Sequence, residues 1–239
     1  MTREVVYGRR PVHEALRGAR AVLELHASER ALRAEAWLRD VTSPRVQSAP
    51  ERELAELAGT RDHQGVVALC EPYRYADAYD LARRPQPVLV CLDGVTDPHN
   101  LGAVCRSAEG AGATGLVLPA HRSARVTPAV CRTSAGAVEH LPVAVVPNLA
   151  RFIADVKSPE LWAYAAVAEA PTPLWEAGFE DGVLIVLGAE GSGIRPLVRR
   201  QCDVEIGIPL AGKVDSLNVS VAAGLLLFEV ARRRAATRA

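Results

Sequence analysis

From Pro87 onward the chain is a succession of unbroken apolar runs: PVLVCLDGV, GLVLP, LPVAVV, LWAYAAVA, GVLIVLG and VEIGIPL. Helical stretches separate most of them, among them NLGAVCRSAEGA, NLARFIADV and IRPLVRRQC. A strand with one wet face alternates polar and apolar residues; a strand that is apolar throughout is covered on both sides. Such strands, spaced by helices, predict a parallel sheet with helices on both faces, because parallel neighbours need long crossovers. In sheets of this kind ligands bind beyond the carboxyl ends of the strands.

Residues 1 to 75 read as a smaller α/β module. PVHEALRGA is a helix and AVLELHA a strand; SERALRAEAWLRD is a helix with Ser28 as its N-cap. RVQSA is a short strand, PERELAELAG a helix with Pro50 in its first turn, and GVVALC a strand. YRYADAYDLARRPQP is polar, carries a short helical pattern and ends in two prolines, as a connector would. The expected division is therefore a module at 1–75, a linker at 76–86 and a larger domain at 87–239.

Composition narrows the class. No apolar run reaches about 18 residues, which argues against a membrane span. The start, MTREVVYGRRPVHEAL, lacks the apolar core of a signal peptide. The 5 cysteines form no CxxC pair and sit in apolar or helical patterns, which disfavours a disulfide framework or a zinc site and suits a reducing cytoplasm. Net charge is zero, so any nucleic-acid contact must come from local patches. The cations are arginine apart from Lys157 and Lys213, and arginine suits bidentate phosphate contacts.

Three clusters fall at strand ends. The first, DGVTDPHNLGAVCR, makes a turn at Asp97-Pro98, offers Asn100 as a helix cap and places Arg106 two turns into the helix among small and apolar neighbours. The second, GAEGSG at 188–193, has three glycines that permit close backbone approach, with Glu190 in their midst. It is neither a P-loop nor GxGxxG, which removes the dinucleotide oxidoreductase reading of an α/β pattern. The third runs from IGIPL at 206–210 to the final helix, whose first turn is crowded by Ser216, Asn218 and Ser220. Capping needs one such residue, so the others face something else.

Together, DPHNLGAVCRSAEGAG, LGAEGSGI and IPLAGKVDSLNVSVAAG resemble, in order and spacing, the three motifs of the SpoU (TrmH-like) family of RNA ribose 2'-O-methyltransferases, members of the SPOUT superfamily. SAGAVEHLPV is similar to the family's central stretch, and the resemblance spans Pro87 to about Arg234. Through YGRRPVHEAL and HQGVVA the N-terminal module is similar to the ribosomal-protein-like RNA-binding module that often precedes this domain. The branch most resembled is the one that methylates a guanosine ribose of 23S ribosomal RNA.

The resemblance implies a parallel sheet whose C-terminal segment is threaded into a deep trefoil knot, a homodimer, S-adenosylmethionine as cofactor and no metal. It implies contacts to the cofactor from Gly188, Ile208 and Leu217. It gives Arg106 the leading catalytic role, with Asn100, Glu190, Ser216 and Asn218 binding the ribose-phosphate or orienting Arg106, and Glu190 able to hold its guanidinium. Arginine stays protonated, so positioning and charge stabilisation suit Arg106 better than base catalysis. Arg9, Arg10, Arg17 and Arg20, clustered around the first helix, are the expected RNA contacts. The alternatives are a transfer-RNA substrate with the same chemistry, or an RNA-binding protein without catalysis; the latter predicts damage at Arg106, Asn100 or Asn218, and none is damaged.

Overall fold

A computed structural model describes residues 2–179 and 181–237. The chain forms two compact units: 1–74 with 125–140, and 75–124 with 141–239. In chain order the first unit begins with β1 (Glu4–Tyr7), α1 (Arg9–Arg17), β2 (Val22–Ala27), α2 (Glu29–Ala34), α3 (Trp37–Asp40), β3 (Val46–Ser48), α4 (Glu51–Ala58) and β4 (Val66–Cys70). Its four strands lie in the order β1-β4-β2-β3, with β4 antiparallel to both neighbours. The sequence reading misses β1, a four-residue strand whose alternation is too short to stand out. The expected single helix from Ser28 to Asp40 is two, because Glu35 leaves the helical region (φ −110°, ψ 102°). Ser28 does cap α2, its hydroxyl accepting from the Ala31 amide.

The second unit contains α5 (Ala78–Ala82), β5 (Val88–Asp93), α6 (Pro98–Gly110) and β6 (Gly115–Pro119). The chain then contributes α7 (Pro128–Thr133) and a 3₁₀ turn (Ala137–Glu139) to the first unit. It continues with β7 (Val143–Val146), α8 (Leu149–Val156), β8 (Leu161–Ala166), β9 (Thr172–Pro173), β10 (Gly182–Gly188), α9 (Pro196–Arg199), β11 (Val204–Gly207) and α10 (Val219–Thr237). Seven strands pair in the order β7-β6-β5-β10-β8-β11-β9, and every pairing is parallel. The expected buried parallel sheet is what forms. β5 is buried at every position: Leu89 and Cys91 join Leu184, Val186 and Phe152 in a core on one face, while α6 and α10 pack together within the same unit.

Two features differ from a contiguous division of the chain. Residues 76–86 carry α5, whose Leu81 is buried in the second unit's core. Residues 125–140 group with the first unit, held there by Arg20. The Arg20 guanidinium bonds Glu139, donates to Glu4 Oε2 at 3.0 Å and lies over the Tyr73 ring at 5.7 Å. The Arg20 and Glu139 side chains are 7% and 1% exposed. Arg20 therefore departs from its expected RNA-contact role: an arginine enclosed by carboxylates has no face left for phosphate. Arg17 is exposed but pairs with Glu14 at 3.1 Å, and Arg9 with Glu35 at 2.9 Å; Arg10 is exposed and has no partner among the described residues.

A candidate active site at three strand ends

β5 and β10 are adjacent, and the order of the sheet reverses between them, so a crevice opens beyond their carboxyl ends. Asp93, the last residue of β5, is 1% exposed. Its carboxylate accepts from the Arg195 amide at 2.8 Å and from Arg195 Nε at 2.7 Å, tying the loop after β10 to the end of β5. Sequence reasoning missed this pair; its one signal was an acid closing an otherwise apolar run. Asp97 caps α6 by accepting from the His99 amide at 2.9 Å, and Pro98 starts the helix. Capping thus falls to Asp97, which leaves Asn100 free for other work.

Asn100 uses that freedom in a hydrogen-bonded cluster that draws the three strand ends together. Its Nδ2 donates to Glu190 Oε1 at 3.1 Å, and Asn218 Nδ2 donates to Asn100 Oδ1 at 3.0 Å and to Glu190 Oε1 at 2.5 Å. Asn218 also caps α10, its Oδ1 accepting from the Ser220 amide and hydroxyl. The polar first turn of α10 therefore has two tasks, capping and facing the loops after β5 and β10. β11 stands three strands from β5, about 14 Å away. Residues 208–218 cover that distance without regular structure, and 208–217 make no backbone–backbone hydrogen bonds among the described residues.

The second cluster is shaped by its glycines. Gly191 and Gly193 are left-handed (φ 79° and 65°), and the Gly193 amide donates to Ala189 O at 2.9 Å. A Cβ on Gly188 would meet Gly193 C at 2.0 Å. The close approach at Gly188 is thus made by the chain's own loop, which folds back and presents Glu190.

The expected residues are not all together. Asn100, Glu190 and Asn218 meet; Ser216 is exposed, and its hydroxyl donates to Asp215 at 3.2 Å. Arg106 is exposed and makes no hydrogen bond or ion pair among the described residues; the Glu190 carboxylate that could have held it serves the two asparagines. Six residues along a helix is a turn of about 120° away. Asn100 meets Asn218 at the start of α10, and Ser107 faces α10, where a Cβ on Gly224 would lie 3.5 Å from Ser107 Oγ. Arg106 projects from a different side of α6. Ile208 is half-buried just past β11, and Leu217, 37% exposed, precedes Asn218. Burial pushes the thiols of Cys70, Cys131 and Cys202 up, to about 11, 12 and 12, so none is a ready nucleophile. No group of three metal-ligating side chains occurs among the described residues.

Residues 87–228 match the family model described as the SpoU rRNA methylase family, and residues 5–76 match the one described as RNA 2'-O ribose methyltransferase substrate binding. The 23S rRNA (guanosine-2'-O-)-methyltransferase RlmB of Ralstonia nicotianae is 40% identical over 224 residues, which cover 90% of this chain and 90% of that protein. YacO of Bacillus subtilis, whose name gives the TrmH family and both tRNA and rRNA, is 38% identical over 97% of this chain and 96% of its own. The solved structure of the SpoU methyltransferase AviRb from Streptomyces viridochromogenes, in complex with AdoMet, is similar with a TM-score of 0.83 at 25% identity, covering 97% of this chain and 90% of that one.

Proposed function

The chain belongs to the SpoU rRNA methylase family, and from that premise we propose that it methylates the ribose 2'-hydroxyl of a guanosine in 23S ribosomal RNA. It is an RNA 2'-O-methyltransferase that uses S-adenosylmethionine, which supplies an electrophilic methyl group on a sulfonium when bound. The 23S RNA target rests on the relatives named for it, such as RlmB of Ralstonia nicotianae.

The residues fit this cofactor. Residues 208–217 offer main-chain donors and acceptors not used in backbone pairing, beside the exposed apolar side chains of Leu210 and Leu217. An adenosine needs both: amides and carbonyls for the base edge and apolar walls for its faces. Gly188 serves by closing the loop beneath the cofactor, Ile208 and Leu217 by lining its pocket. The crossing of 208–218 over the strand ends is the geometry that a threaded C-terminal segment would need, and it supports a trefoil knot here.

The observation that carries the reading is the Asn100–Glu190–Asn218 cluster. Both amides converge on Glu190 Oε1, which leaves Oε2 to accept from a ribose hydroxyl. Asn100 and Asn218 hold that carboxylate in place, and Ser216, exposed two residues before Asn218, is placed to reach the ribose-phosphate. Arg106 grips the target phosphate and steadies negative charge as the hydroxyl loses its proton. Because Arg106 and Asn100 occupy different sides of α6, the two parts belong to one site if a second copy supplies the guanidinium. Val221, Leu225 and Phe228, spaced i, i+4, i+7 on α10, are 50%, 41% and 54% exposed and form an apolar stripe suited to a homodimer seam. The first unit binds RNA, and RNA modification of this kind belongs in the cytoplasm.

The test is transfer of labelled methyl to unmodified 23S and transfer-RNA transcripts, followed by nucleoside analysis. A 2'-O-methylguanosine in the 23S transcript is expected. Label in transfer RNA alone would move the assignment to that substrate, and label in neither would leave a binding protein.

A further inference from the structure

We propose that the first unit grips the RNA phosphodiester backbone in a basic cleft at one end of its sheet, with Arg30 and Arg61 as the phosphate contacts. The proposal rests on the RNA methyl-transfer reading and adds where the substrate is held. Because β4 is antiparallel to both β1 and β2, the carboxyl ends of β1 and β2 and the start of β4 lie at the same sheet end. Three turns converge there. Main-chain bonds lock them: Gly8 N donates to Val66 O at 3.0 Å, and Ser28 N to Gly65 O at 2.8 Å. A Cβ on Gly65 would strike Ser28 Oγ at 2.5 Å, so the turns touch closely. Gln64 is held left-handed (φ 55°), a conformation costly for a residue with a side chain and concentrated at binding sites. That placement lets its Oε1 accept from the Arg9 amide at 3.2 Å.

The cleft between these turns has a volume of about 280 Å³ and is lined by Arg9, Arg30, Arg61, Gln64, Ser28 and Glu51. Three guanidinia and the Glu51 carboxylate line it, and with Glu35 paired to Arg9 the local charge is +1 on a chain of net charge zero. Arg9 is held by Glu35 at 2.9 Å and by Gln64 O at 3.2 Å. Arg30 and Arg61 are exposed and have no hydrogen bond or ion pair among the described residues. Elsewhere in the unit Arg3, Arg17, Arg33 and Arg52 are each matched to a glutamate. Like charges left together on a rigid floor call for an anion between them. No aromatic side chain lines the cleft on which a base could stack, so the contact is to phosphate and independent of sequence.

The experiment uses the full chain, an unmodified 23S ribosomal RNA transcript and a salt titration of binding. The variant is Arg30→Gln with Arg61→Gln; the control is Arg33→Gln with Arg52→Gln, whose arginines are already paired. The cleft variant should bind RNA about tenfold more weakly near 0.1 M salt, with the slope of log K against log salt reduced by about 1.5, as two lost phosphate contacts require. Cofactor affinity and melting temperature should match wild type, and the control should bind as wild type does. RNA affinity and slope unchanged in the cleft variant, while the wild-type enzyme still methylates the transcript, would overturn the cleft and leave the activity standing. Equal weakening in the control would also overturn it, by showing a diffuse charge effect. A wild-type chain that neither binds nor methylates RNA would defeat both readings.

Discussion

Arg106 carries its charge into solvent with no carboxylate partner among the described residues, and that determines how its loss will read out. A guanidinium in a buried pair costs several kcal/mol to remove because the partner is left uncompensated. An exposed one costs within about 0.5 kcal/mol. Arg106→Ala should therefore lower methyl transfer by about 10²- to 10³-fold while leaving melting and cofactor affinity near wild type. Arg106→Lys keeps the charge without the planar fork, so it should stay at least about tenfold impaired; a largely active lysine enzyme would refute the positioning role. Arg20 is the contrasting case. Its removal strands Glu139, whose side chain is 1% exposed. Arg20→Ala should cost about 3–5 kcal/mol and lower the melting temperature by on the order of ten degrees. Its RNA salt slope, measured well below that melting point, should be unchanged.

At the scale of elements, the loop after β10 is a hairpin-like reversal built on glycine. Gly188 tolerates no Cβ because Gly193 C would lie at 2.0 Å and Ile194 N at 2.3 Å, both main-chain atoms that cannot swing aside. Gly188→Ala should open the loop, carry Glu190 away from Asn100 and Asn218, and lower stability together with activity. Calorimetry with S-adenosylmethionine and a melting curve distinguish this from a local cofactor clash. Wild-type stability with lost binding would assign the glycine to cofactor approach instead. The same loop is tied to β5 through Arg195 and Asp93, so two adjacent strand ends behave as one platform. The segment 208–217 is the adaptable part, since its backbone makes no backbone–backbone hydrogen bonds among the described residues and its side chains are largely exposed.

For the whole molecule, the prediction concerns a second copy. If one protomer's Arg106 completes the site formed by its partner's Asn100, Glu190 and Asn218, two inactive variants should rescue each other. Arg106→Ala mixed and re-equilibrated with Asn218→Ala would form about half heterodimers, each with one intact site. Activity near a quarter of wild type is the expected result. No rescue from a mixture shown to exchange subunits would place Arg106 in its own chain's site. Charge on the stripe, as in Phe228→Asp, should shift sedimentation toward monomer and remove activity with it.

Much of the second unit was legible in the sequence because it rests on local, repetitive signals. Runs such as VLVCLD and GVLIVLG are apolar at every position, and that forces strands covered on both faces whatever their order. The crowding of Ser216, Asn218 and Ser220 also pointed beyond capping, and Asn218 does meet Asn100 and Glu190. What local pattern does not encode is which partner a side chain meets across the chain. Whether Glu190 would hold Arg106 or the two asparagines depends on where α10 begins relative to α6, a contact between residues 90 and 118 positions apart from Asn100. Arg17 and Arg20 look alike on paper; folding returns residues 125–140 to the first unit and encloses Arg20 with Glu139, 119 positions away, while Arg17 stays at the surface. Arg30, in the first turn of α2, and Arg61, in the loop before β4, are 31 positions apart with no local pattern linking them, and antiparallel pairing of β4 with β2 brings the two segments together. Propensity and periodicity act over a few residues, so they determine the elements; charge pairing acts through space, and the tertiary structure decides it.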